Sequence, residues 1–517
     1  MGNEPVNRSR RNFIASGAVV CAAKLASKAE AVPARPTDRP TLPSAMGDRG
    51  IKPPFLHTDN DTVNKAFRIA IGDLATNILN YKSGLMQEEA PAIMAGLNYD
   101  RPWTRDTAIN VWNFGGLVAP EAARNTLMSV LERKDGEVVI GGQYWDSIIW
   151  VTGAWNYFLQ TGDKKMLELA FEAAKNTLAR REYEEFDETS NLFRGPACYG
   201  DGVAAYPEFY AKGCGGSSGI HDWINHHSSA RGVGIPMKTL STNCLYYNAY
   251  KILPLMAAAL GKDAAGTEQK AQKLKASILN HFLNPKTGTL DYIADSPVNS
   301  DYQEALGISF AVMFGIAEGE LAKNIISKAQ TTPQGIACVW PSFPRYLAMG
   351  GFGRHSGTVW PHAQGFWAET CANYGEAEKF GRELHALAKN AVRDSQFVEI
   401  YHPETGESYG GLQELGGPIG NWNATNRQTW SATGFIRMSI GSLVGLKLAE
   451  NGISFKPLLS QGISQARLKI RYRAMNLDVN VSGSGKDVRS FNINGSASRN
   501  FIPAAGIGNK RIEITLG

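Results

Sequence analysis

The feature that most constrains this chain is an alternation between two kinds of helical segment. Residues 147–160, 241–260, 304–317 and 362–375 are apolar nearly all round. Each is followed by an amphipathic partner, at 163–182, 267–283, 319–330 and 376–392. In "NKAFRIAIGDLATNIL" Phe67, Ile71, Leu74 and Ile78 fall on one face, and Met166, Ala170, Ala173 and Leu178 do so in a later segment. A helix without a polar face has to be surrounded by other helices. The joints "TGD", "GKDAAG", "EG" and "YGE" are short, which makes each pair an antiparallel hairpin. About eleven helices between residues 62 and 446 are expected, with buried ones inside a ring and amphipathic ones wrapped around it. The long connections 98–118, 184–240, 331–361 and 394–428 then gather at one end. Loops of that length in a compact domain are usually functional or disordered, and these are too aromatic for disorder.

The flanking segments read differently. Residues 1–31 have a basic start, an apolar stretch from Phe13 to Ala23 and small residues near Ala29 and Ala31. Ser9-Arg10-Arg11-Asn12-Phe13-Ile14 resembles the twin-arginine signal that exports folded proteins from bacteria. A periplasmic or secreted protein is therefore expected. No later segment holds the roughly 20 apolar residues a membrane span needs. Residues 32–61 are Pro-rich and polar, and read as a linker or strap. After residue 450 short alternating stretches such as "ARLKIRYR" and "KRIEITLG" predict a small β module over 450–517. The formal charge is +5, but five basic and two acidic side chains lie within residues 1–31, leaving +2 for the rest. That is too little to suggest a nucleic-acid partner. Cys198, Cys214, Cys244, Cys338 and Cys371 have no metal-ligand spacing; Cys198 and Cys214 flank a Gly-rich loop, though buried free thiols are the expectation.

The long loops carry the chemistry. "LNYDRPWTRDTAINVWNFGG" (97–116) interleaves Trp103 with Arg105 and Asp106. "GGQYWDSIIW" places Trp145 and Asp146 at the start of a buried helix, and "GRHSGTVWPHAQGFW" does the same with Arg354, His355, Trp360 and His362. "LFRGPACYGDGVAAYPEFY" sets Asp201 between two glycines, after Tyr199 and before Glu208. "QFVEIYHPETGESYGG" holds Glu399 among apolar neighbours, with Glu404 and Glu407 in a solvated turn. Such a mixture suits a sugar: aromatic faces for C–H surfaces, charged groups for hydroxyls, and two carboxyls for acid/base work on a glycosidic bond. "HDWINHH", with His221, Asp222, His226 and His227, matches no metal motif, and neither metal nor cofactor is expected. There is no nucleophile elbow.

The run of hairpins resembles the six-hairpin, or (α/α)₆-toroid, glycosidases, which include glucoamylases, trehalases, family 63 α-glucosidases and α-rhamnosidases. "RPWTRDTAIN" is similar to the stretch with which glucoamylases hold the terminal sugar, and "EIYHPETG" followed by "TWSATGFIRM" is similar to the family 63 pattern around its general base. The resemblance implies a mainly α fold, an (α/α)₆ toroid over 62–446, and an inverting hydrolase of oligosaccharides or other glycosides, with α linkages favoured. It makes Asp201 the general acid and Glu399 the general base. Trp103, Arg105, Asp106, Trp145, Asp146, Tyr199, Trp360, His362 and Trp430 would line the sugar site. Family 63 commonly has Ser-Gly-x-Asp at the acid, whereas this chain has Tyr-Gly-Asp-Gly, so Asp106, Asp146 and Glu208 stay open as alternatives. A six-hairpin lyase or epimerase using Tyr199, His355 or His362, and a carbohydrate-binding protein without chemistry, are the competing readings.

Overall fold

Gly162 shows how the hairpins are made. It sits at φ +76°, which glycine enters without a Cβ clash, and ends one helix. Asp163 then caps the next by accepting a bond from the Met166 N–H at 3.0 Å. In this computed structural model, which describes residues 53–213, 237–294, 302–415 and 417–517, the main helices follow one another as six pairs, each an outer helix and the inner helix after it. They are α1 (Asp61–Thr76) with α2 (Thr104–Asn110), α3 (Pro120–Ser129) with α4 (Tyr144–Thr161), and α5 (Lys164–Glu185) with α6 (Leu240–Leu260). Then come α7 (Thr267–Phe282) with α8 (Ala305–Met313), α9 (Gly319–Lys328) with α10 (Pro361–Asn373), and α11 (Ala377–Asp394) with α12 (Thr429–Ile436). The even-numbered helices pack each on the next, and α12 closes on α2. They are buried on nearly all sides: every residue of α12 is buried, as is α8 from Ala305 to Val312. The outer helices bury one stripe, as α11 does with Phe380, Leu384, Leu387 and Ala391. This is the (α/α)₆ toroid expected from the alternation.

Because outer and inner helices alternate in direction, the long outer-to-inner connections, and the N-termini of all six inner helices, lie at one end. The residues that begin those helices are Trp103, Gln143, Thr239, Glu304, Trp360 and Gln428. Helix dipoles thus present their positive ends to this mouth, where carboxylates are favoured. Deeper in the ring the lumen is plugged. Beyond α2 the chain kinks at Phe114 (φ +70°), and Trp112 packs on Phe366 with ring centroids 4.5 Å apart. The Arg437 guanidinium covers the Trp112 ring at 4.6 Å and pairs with Glu369 at 2.6 Å. Burial alone would raise the Glu369 pKa, but Arg437 and Lys447 outweigh it and bring it down to about 2. Trp112 is therefore core.

The C-terminal sheet contains β1 (Phe55–Thr58), β2 (Gln465–Tyr472), β3 (Met475–Gly483), β4 (Val488–Ile493), β5 (Ser496–Ala497) and β6 (Gly508–Leu516), in the order β1-β2-β3-β6-β4-β5. Its first strand comes from the N-terminal segment: Phe55–Thr58 pair antiparallel with Ala466–Lys469. Alternate residues of β2, from Ala466 to Tyr472, face inward. A smaller sheet is made by Leu446–Ala449, Gly452–Phe455 and Ile502–Pro503. The export signal, residues 32–52 of the strap, Cys214 and the His221–His227 stretch lie outside the described residues.

Candidate active site

Two arginines organise the mouth. Arg105, on the first turn of α2, is buried, and its guanidinium is fully engaged. Nε meets Asp146 Oδ1 at 3.1 Å, Nη1 donates to Asp201 Oδ2 at 2.7 Å, and Nη2 donates to Gln143 Oε1 at 3.1 Å. It lies 4.9 Å from the Trp145 ring centroid and 5.9 Å from that of Trp103. Arg354, in the loop before α10, donates from Nη2 to Glu399 Oε2 at 2.8 Å and from Nη1 to the carbonyl of Gly410 at 3.1 Å. Its guanidinium lies 5.3 Å from the Trp360 ring and 5.7 Å from the Trp422 ring. Each carboxylate centre is thus held by an arginine flanked by one buried tryptophan and one partly exposed one. Trp145 and Trp360 are buried, whereas Trp103 and Trp422 are 38% and 37% exposed.

The two centres differ electrically. Around Arg105 three carboxyls share one cation. Asp106 accepts a bond from Gln428 Nε2 at 3.2 Å and is buried. Burial, against the pull of Arg105 and reinforced by the charges of Asp146, Glu399 and Asp201, holds its pKa well above the ordinary carboxylate range. Asp146 is pushed up to about 6 by burial, with Arg105 opposing and Asp201 adding to the rise. It also caps its own helix through the Gln143 N–H. Asp201 is the accessible member, its side chain 39% exposed against 1% for Asp146. At the second centre Glu399 is buried, and Oε2 accepts both the Arg354 bond and one from the Thr425 N–H at 3.0 Å. The Glu399 N–H donates back to the Thr425 carbonyl at 2.9 Å, so the loop is clamped in both directions.

Buried aromatic rings form the floor between them. His355 stacks on Trp360 at 4.7 Å and His362 on Trp430 at 4.3 Å, with Tyr199 against both histidines. Burial brings both histidines down to about 3, so they are neutral at ordinary pH. None of their ring nitrogens, nor the Trp430 indole N–H, has a hydrogen-bond partner among the described residues. His355 Nε2 lies 3.8 Å from Asp201 Oδ1. Tyr199 takes φ +69°, and its hydroxyl donates to the Cys338 carbonyl at 3.2 Å. Gly202 is set by crowding: a Cβ there would lie 2.5 Å from Gln413 Oε1 and 2.9 Å from His355 Cε1.

The structure brings Trp103, Arg105, Asp106, Trp145, Asp146, Tyr199, Asp201, Trp360, His362, Glu399 and Trp430 to one end of the ring. Arg105 binds protein carboxyls there, where the sequence reading has it gripping a sugar hydroxyl. Glu208 belongs elsewhere: it accepts from the Arg345 N–H at 3.4 Å, in a cluster with Glu414. Cys198 is a buried free thiol. Sequence reasoning passes over Gln143, Trp422 and Thr425, and misses that Arg354 is the holder of Glu399. Residues 354, 399 and 422 are too far apart in the chain for spacing to connect them.

A double ring of six hairpins whose mouth holds two arginine-bound carboxylate centres fits a six-hairpin glycosidase. The mannosylglycerate hydrolase MGH1-like glycoside hydrolase domain matches residues 148–431, more than half of the chain, and the protein belongs to this family. It is similar to the solved structure of a sialidase (TM-score 0.65, 15% identity, 92% of this chain and 43% of that one). It is also similar to Streptomyces avermitilis alpha-L-rhamnosidase complexed with L-rhamnose (TM-score 0.53, 12% identity, 81% of this chain and 35% of that one). A third is the GH78 rhamnosidase of Bacillus sp. GL1 (TM-score 0.51, 14% identity, 89% and 44%). The chain spans less than half the length of each of these structures, and at such identities the likeness is one of fold. No curated protein matches it.

Proposed function

We propose that this glycoside hydrolase is exported and cleaves α-linked oligosaccharides or small glycosides with inversion of the anomeric centre. The observation that carries the reading is a pair of unlike carboxylate centres, each held by an arginine, at the mouth. The Arg105 cluster crowds three carboxyls around one cation and retains protons. Asp201, its exposed member, delivers one to the leaving oxygen. Glu399 is a lone carboxylate with Oε2 fixed by two donors. It takes a proton from the attacking water through Oε1. Proton leaves the cluster, the glycosidic C–O bond breaks, and the water oxygen bonds to the anomeric carbon from the other face. The half-exposed Trp103 and Trp422 supply faces for sugar rings.

The test is reducing-end release from a panel of α- and β-linked glycosides headed by mannosylglycerate, the name the family carries, followed by proton NMR of the first product. An α-glycoside should give the β-anomer first; the α-anomer first would refute inversion. Export rests on Arg10-Arg11. Replacing both by lysine should retain the protein in the cytoplasm of a bacterial host, and unchanged periplasmic or extracellular yield would remove that part of the proposal.

A further inference from the structure

A second cleft opens at the same end of the ring, outside the mouth. It has a volume of about 340 Å³ and lies among the hairpin after α7, the strand pair before α8 and α10, and the C-terminal end of α9. Residues 303–304 pair antiparallel with 339–340. Neighbouring residues of a strand face opposite sides. Glu304 and Val339 are fully buried on the ring side, and just before the strand the Tyr199 hydroxyl bonds the Cys338 carbonyl. Gln303 and Trp340 line the cleft. The same two strands therefore wall off the cleft from the mouth.

The lining has three parts. The half-buried rings of Trp340 and Tyr302 form aromatic walls. Leu290, Ile308 and Ile325 make an apolar floor. The rim is amide, hydroxyl and carboxyl. Gln303 and Gln330 are locked together, Gln303 Nε2 donating to the Gln330 carbonyl at 3.0 Å and its Oε1 accepting from the Gln330 N–H at 2.8 Å. Asn284 Nδ2 donates to Asp291 Oδ1 at 3.0 Å on the facing side. The charged lining residues are Asp291 and Lys328, one of each sign. A flat aromatic wall suits the C–H face of a pyranose, paired amides and a carboxyl suit its hydroxyls, and the volume falls at the small end of ligand pockets, which run from about 300 Å³ upward.

We propose that this cleft is a second carbohydrate-binding site, taking one neutral pyranoside unit apart from the bond being cleaved. It holds a remote part of the substrate at the same end of the ring. The class of ligand rests on the chain's being a glycosidase; the site rests on its own lining and not on the roles of Asp201 and Glu399. The probes are methyl α-D-glucopyranoside, methyl α-D-mannopyranoside and methyl α-L-rhamnopyranoside, read by saturation-transfer NMR and titration on the full chain. Wild type should bind at least one, and Trp340→Ala should weaken that binding at least fivefold. Gln303→Ala/Gln330→Ala, which leaves the apolar floor intact, should weaken it too. Both variants should keep wild-type kcat on a short glycoside but show a raised KM on a longer one. Binding unchanged in both variants, or no binding of any probe by an active wild type, would overturn the second site while leaving the hydrolase reading standing. Loss of hydrolysis in wild type with binding intact would do the reverse.

Discussion

At the scale of single residues the site is a matter of which carboxyls can keep a proton and which can reach a substrate. Asp106 is the most strongly protonated by its surroundings, yet it is buried; Asp201 is accessible and shares the same cation. Asp106 and Asp146 both feel the charges of Arg105 and Asp201, so in the proposed mechanism the donor is the cluster and Asp201 its outlet. Asp201→Asn should therefore lower kcat at least about a hundredfold, and Asp106→Asn by less than about tenfold. The opposite order in steady-state kinetics would move the outlet to Asp106. Arg354→Lys loses the fork that fixes Glu399, and kcat should fall roughly ten- to a hundredfold with the fold intact by circular dichroism. The residue types were legible in the sequence because Asp201 and Glu399 sit in Gly-rich and aromatic loops that a buried core would not contain. Their partners were not. That Arg105 spans Asp146 and Asp201, and that Trp422 flanks Arg354, depends on loops from different hairpins meeting in space.

At the scale of elements, the first outer helix fixes the loop that carries Glu399. Asp73 on α1 accepts from the Phe397 N–H at 2.7 Å and pairs with Arg427 at 2.5 Å. One turn on, Asn77 donates to the Arg427 carbonyl at 2.6 Å and to Thr429 Oγ1 at 2.9 Å. Two side chains of one helix thus fix both the start of the Glu399 loop and the start of α12. Asp73→Ala leaves a buried N–H without its acceptor and should cost about 2 kcal/mol in denaturant unfolding, with kcat reduced as the loop loosens. Full stability in that variant would show the staple to be dispensable. The helices themselves were plain in the sequence, since segments such as 241–260 lack any polar face. The strand at Phe55–Thr58 was hidden: four residues next to a Pro-rich stretch carry too short a pattern, and their partner strand lies some 400 residues away in the chain.

At the scale of the molecule, buried acids at the mouth and behind the outer helices set the pH dependence of stability. Burial raises Glu304 to about 8, and Glu185 and Glu383 to about 7. His355 and His362 move the other way, to about 3. Below about pH 6.5 the two effects oppose each other, because the unfolded chain gains protons on histidine while the folded chain keeps them on carboxyls. Above it the histidines are neutral in both states, and only the acids count. The folded state then holds more protons than the unfolded one, so stability falls as pH rises from about 6.5 to 8.5. Thermal unfolding should show Tm declining over that window, and Glu304→Gln should flatten part of the decline. A Tm that climbs there would mean the acids are not buried as described. The ring architecture was readable because alternation of burial along the chain is a global property written locally. Which end forms the mouth follows from it, since the inner helices begin where the long connections arrive.

In the proposed mechanism Glu399, fixed by Arg354, activates the water that splits a glycosidic bond. The most direct measurement is kcat for Glu399→Gln on the glycoside that wild type turns over fastest. The account predicts a fall of at least about a hundredfold with substrate binding retained. Turnover within about threefold of wild type would contradict it.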